Sequence, residues 1–165
     1  MQLLNDLKEN DRELIISRIN DAVDDPIVFI DRFLYTFDPK REPYHLPFRL
    51  FDYQKDLINE IKLAIESGYD ILIEKCREMG ATYTTLDVLL WFWRYIPGSN
   101  FLLGSRKEQY VDNRGQVSDN EVKNKEESLF GKLEYTLDRM QREAIFWVWP
   151  KDTKPTKEDI VKNIW

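Results

Sequence analysis

The stretch ILIEKCREMGATYTT, residues 71–85, decides how this chain is read. Its first three residues, Ile71–Ile73, form a short apolar run entered from a Gly-Tyr-Asp turn, and they read as a buried strand. Gly80 follows a few residues later. Beyond it Thr84–Tyr95 is apolar almost all round (Leu86, Val88, Leu89, Leu90, Trp91, Phe92, Trp93), the pattern of a helix buried on most sides. A strand that turns through a glycine into a helix aims backbone N–H groups and the positive helix end at one place, where phosphate oxygens bind. Against the general pattern G-x-x-x-x-G-K-[ST], Gly80 matches the second glycine, and Thr82 matches the hydroxyl that would hold Mg²⁺. Two positions depart: Lys75 stands at the first glycine and Ala81 replaces the lysine. Lys75 and Arg77 flank the loop from its front and could meet the phosphates instead, Arg77 being the better placed for a bidentate grip. The rival reading is structural, with one turn glycine and Thr82 capping the helix.

Downstream, Pro97-Gly98 closes the helix, Phe101–Leu103 reads as a second short strand, and Ser105 caps a helix over Arg106–Asp112. Residues 113–127 are a polar surface loop. Helical spacing returns over Ser128–Arg142, and Ile145–Trp149 is a strand-like aromatic run closed by Pro150. Upstream, Tyr53–Ser67 is a helix with Leu57, Ile58, Ile61, Ala64 and Ile65 on one face, capped by Asp52 and stopped by Gly68. Residues 36–50 carry Pro39, Pro43 and Pro47 and read as a loop or strap. Residues 2–23 and Ile27–Tyr35 are helical, the second opened by Asp25-Pro26. Helices followed by strand–loop–helix–strand–helix make a βαβ unit with a helical lead-in, the opening of a parallel α/β sheet.

The 165 residues suffice for one domain with a core. With 42% hydrophobic and 33% charged residues, the composition is that of a soluble globular chain. A net charge of −6 excludes a surface that coats nucleic acid as a whole, so any such contact is a local patch. The single cysteine, Cys76, allows no internal disulfide and fits a reducing compartment. The charged N-terminus is no signal peptide, and Leu86–Phe92 is too short to span a bilayer.

The pattern Lys75-x-Arg77-x-x-Gly80-x-Thr82 resembles the deviant phosphate loop of the large terminase subunit of tailed phages. In that family the loop lysine is often displaced to the front, which accommodates Ala81. Pro47–Gln54 (PFRLFDYQ) resembles the aromatic-plus-glutamine motif placed before such loops, and Phe101–Asp112 resembles the next strand and helix. SLFGKLEYTLDRM and WVWP also look like the family, so the likeness runs over Asp25–Pro150. The resemblance implies an α/β fold: part of a P-loop NTPase of RecA-like, ASCE type, its parallel sheet preceded by a helical lead-in. Residues 1–50 would be the lead-in and Pro-rich strap, 51–150 the front of the ATPase domain and 151–165 a polar tail. ATP and Mg²⁺ are the implied cofactors. The implied nucleotide site runs over Lys75, Cys76, Arg77, Glu78, Met79, Gly80, Ala81, Thr82 and Tyr83, with Thr82 on Mg²⁺. Phe51, Tyr53 and Gln54 would hold the adenine, Gln54 reading its edge. The intact protein would be an ATP-driven packaging motor in the host bacterial cytoplasm. Its partners would be double-stranded viral DNA, the portal protein and the small terminase subunit.

A hydrolysing site also needs an acid at the end of a later strand and a carboxylate to orient water. No apolar run after Gly80 ends suitably, and nothing supplies the family's nuclease carboxylates. The chain therefore reads as the front of such a motor, from a truncation, a split gene or a decayed prophage copy. Catalytic residues are not assigned. A helicase-type fragment and an interaction module without a nucleotide site are the alternatives. The bland readings make Phe51 and Tyr53 core aromatics, Cys76 a buried filler, Arg106 and Lys107 a solvated face, and His45 a loop residue.

Overall fold

The computed structural model describes residues 9–38, 40, 42–113 and 128–140. Six helices and a two-stranded antiparallel sheet occur among them. Helix α1 spans Glu9–Asp24 and α2 spans Pro26–Phe33. The Asp25 carboxylate accepts the Ile27 N–H at 2.8 Å and Pro26 occupies the first turn, so cap and proline together restart the helix at a new angle. Three apolar side chains of α2, Phe29, Ile30 and Phe33, expose nothing.

Where the sequence suggested a strap over residues 36–50, the chain forms a hairpin. Strand β1 (Tyr35–Phe37) pairs with β2 (His45–Pro47), Thr36 opposite Leu46. Pro43 and Pro47 fit because they lie in the connection and at the end of the ladder, where no N–H is needed. Helix α3 (Asp52–Ser67) begins one residue earlier than expected. Phe51, not Asp52, is its N-cap, and the Gln54 Oε1 accepts the Phe51 N–H at 3.0 Å. Gly68 stops it in the left-handed region, φ 73°, where a side chain would be strained.

Helix α4 (Ala81–Tyr95) starts three residues before the expected point, with Gly80 as its N-cap, and is buried on most sides. It packs against α2, α3 and α6. The Trp91 indole donates to the Ala22 carbonyl at 2.8 Å, which ties α4 to the end of α1. Helix α5 is a single turn, Glu108–Val111, capped at Lys107 rather than Ser105, and Arg106 and Lys107 are exposed. Helix α6 (Leu129–Arg139) is capped by Ser128, whose hydroxyl accepts the Gly131 N–H at 3.0 Å.

The strands expected at Ile71–Ile73 and Phe101–Leu103 are not strands here. Neither segment has a ladder partner among the described residues, and residues 71–76 are exposed rather than buried. An apolar run becomes a strand only when a neighbour takes its N–H and C=O groups. The run expected at Ile145–Trp149, most of the polar loop 113–127 and the tail lie outside the described residues. No described helix is long and apolar enough to cross a membrane.

Candidate functional site

The loop between residue 76 and α4 is shaped by two left-handed residues, Glu78 (φ 64°) and Gly80 (φ 72°). Gly80 hands the chain to α4, so the first turn of a 15-residue helix, with its unsatisfied N–H groups, opens onto the loop. The start of α3 holds the loop from behind. Gln54 Nε2 and the Tyr53 hydroxyl both donate to the Met79 carbonyl, at 3.1 and 3.3 Å. Gln54 is buried, and its Oε1 is engaged by Phe51 N–H. Its amide is thus a clasp between the α3 cap and the loop.

Two cavities flank this loop. The first, about 690 Å³, lies between the hairpin and the loop; its walls include Lys40, Phe51, Tyr53, Glu78, Gly80 and Tyr83. Phe51 and Tyr53 are not core residues. They are exposed and stack with ring centroids 5.6 Å apart and planes 9° apart. The second cavity, about 440 Å³, lies against the first turns of α4. Lys75 and Thr82 line it together, with Ala81, Ile73 and Leu102. Gly80 therefore faces one cavity and its neighbour Ala81 the other.

The structure brings Lys75, Thr82 and the α4 N-terminus to one place. Arg77 is exposed and lines neither cavity, so Lys75 rather than Arg77 is the better-placed cation. Cys76 is exposed, not a buried filler. His45 is exposed on β2, where Nδ1 contacts the Tyr135 hydroxyl at 3.0 Å. That hydroxyl donates to the Thr36 carbonyl at 3.1 Å, which leaves His45 Nδ1 as the donor in the pair.

Two features escaped the sequence reading. Lys40, in the hairpin connection, forms an ion pair with Glu78 on the loop. A polar Asp-Pro-Lys turn between short apolar runs was the available signal for the hairpin. Asp87, on α4, is wholly buried and accepts from Thr136 Oγ1 of α6 at 3.3 Å. Burial pushes its carboxyl well above the usual carboxylate range, against the opposing effect of the Thr136 bond. No grouping of three or more His, Cys, Asp or Glu side chains able to hold a metal occurs among the described residues.

No family model, curated protein or solved structure matches the chain.

Proposed function

We propose that this chain is the nucleotide-gripping front part of a P-loop ATPase of the large-terminase kind. In the intact motor, ATP hydrolysis would drive double-stranded DNA into a procapsid, with the portal protein and small terminase subunit as partners. The observation that carries the reading is the meeting of Lys75 and Thr82 in one cavity at the start of α4, next to the left-handed Gly80. Backbone N–H groups of a helix start, an ammonium and a hydroxyl are the donor set that phosphate oxygens and Mg²⁺ ask for. Mg²⁺ keeps several waters and takes few protein ligands, so Thr82 with the phosphates suffices to hold it. When bound, the ion neutralises phosphate charge. Lys75 orients the phosphates, and Phe51 and Tyr53 offer an aromatic platform for the base beside the first cavity. The parallel sheet of such ATPases belongs to this proposal: the runs 71–73 and 101–103 would pair with strands of the complete domain.

The test is calorimetric titration with Mg-ATP and Mg-ADP. Binding is expected, with negligible turnover by this chain alone. Lys75→Ala should weaken it roughly ten- to a hundredfold, as loss of a charge-assisted contact does. Arg77 lines neither cavity, so Arg77→Ala should weaken it less. Thr82→Ala should abolish the benefit of Mg²⁺, and Arg106→Ala should change little. Equal weakening by Lys75→Ala, Arg77→Ala and Arg106→Ala would mean diffuse electrostatics and no site.

A second reading, an interaction module without a nucleotide, is favoured by the exposure of Leu72 (96%) and Leu102 (80%). A melting temperature that stays flat in millimolar Mg-nucleotide would support it, because a ligand bound only by the native state must stabilise it.

A further inference from the structure

Glu78 puts a negative charge on the loop, two residues before Gly80. It is also the non-glycine residue with a left-handed backbone among those described, φ 64°. That conformation is uncommon for a residue with a Cβ and persists where the surroundings hold it. Its carboxylate meets the Lys40 ammonium, which comes from the hairpin connection 38 positions earlier in the chain. Both residues line the cavity between hairpin and loop.

The phosphate donors Lys75 and Thr82 line the neighbouring cavity, across the loop from Glu78. A bare carboxylate a few residues away on the same loop would still repel a bound phosphate through space, most of all at low salt, where screening is weakest. The paired ammonium cancels that repulsion and joins the hairpin to the loop across the cavity. We propose that Lys40 is a positioning residue for anion binding: it neutralises Glu78 and makes the hairpin a working part of the nucleotide site. This rests on the phosphate-loop reading above and takes its ligand class, Mg-complexed nucleoside di- and triphosphates, from it.

Both side chains are about 70% exposed, 70% for Lys40 and 69% for Glu78. An exposed pair adds little to fold stability and is screened by salt. The effect therefore belongs in ligand affinity at low salt and not in the melting temperature.

Calorimetric titration with Mg-ADP on the whole chain tests this, at low and high salt, for Lys40→Ala, Glu78→Gln and the double variant. Lys40→Ala should weaken binding about five- to tenfold at low salt, and less at high salt. Glu78→Gln should bind at least as tightly as the wild type, and the double variant should match Glu78→Gln. An unchanged affinity in Lys40→Ala overturns the proposal. So does an equal loss from Lys40→Ala in the Glu78→Gln background, which would mean that Lys40 touches the ligand directly. Wild-type binding that Lys75→Ala weakens but Lys40→Ala does not sinks this inference alone. No wild-type binding at all sinks the phosphate-loop reading and this inference with it.

Discussion

At Gly80 the backbone takes φ 72°, and a Cβ built there would lie 2.6 Å from Gln54 Nε2. Strain and collision thus fall on the same atom, and the collision displaces the amide that holds the Met79 carbonyl. Gly80→Ala is expected to cost roughly 2–3 kcal/mol, from the left-handed backbone and one lost buried hydrogen bond. Thermal melts should show the drop, and in a Gln54→Ala background, where that bond is already absent, Gly80→Ala should cost only the backbone part. A Gly80→Ala melt equal to the wild type would mean that Gln54 has room to move aside. The glycine was legible because a turn before a helix asks for one. Gln54 was legible as a residue but not in its work. Its partner is a backbone carbonyl 25 positions away, and nothing in a sequence marks which carbonyl an amide will find.

Helices were the most legible elements, because caps and periodicity are local. Asp25 and Gly68 stand at the ends they were expected to mark, whereas the caps expected at Asp52 and Ser105 fall at Phe51 and Lys107. Strands were the least legible. Three-residue strands such as Tyr35–Phe37 and His45–Pro47 are too short to show alternation, and three prolines over residues 36–50 disguised the hairpin. The runs at 71–73 and 101–103 were read from apolarity alone, while pairing depends on a neighbour. The contact between α4 and α6 leads to a prediction on pH. Asp87 is buried at it with Oδ2 unpartnered and its carboxyl raised, so the folded state holds its proton more tightly than the unfolded chain does. The stability from the protonated group is fully present below the unfolded value near 3.9. It is lost as pH rises through the raised folded value. Asp87→Asn, which carries no charge at any pH, removes that slope, worth about 1.4 kcal/mol per pH unit while one proton is being released. Denaturant midpoints from mildly acidic to alkaline pH should therefore fall more steeply for the wild type than for the variant. Parallel curves would show that Asp87 is already ionised in the fold.

At the scale of the molecule, the most exposed large apolar side chains among the described residues lie on the two runs without ladders, Leu72 at 96% and Leu102 at 80%. Unpaired backbone beside exposed leucine invites association between copies. Light scattering should show the wild type growing with concentration, and Leu72→Lys with Leu102→Lys should suppress that growth. Since neither side chain is packed, stability should shift by no more than about 0.5 kcal/mol. Growth that persists in the double variant would place the sticky surface elsewhere, for instance at the exposed Leu63 of α3. The exposure of Cys76 has a practical side. The chain holds one thiol, and it stands on the loop between Lys75 and Arg77. A maleimide fluorophore would therefore attach at a single known position without any engineered cysteine, and its brightness would report on whatever enters or leaves that stretch of backbone.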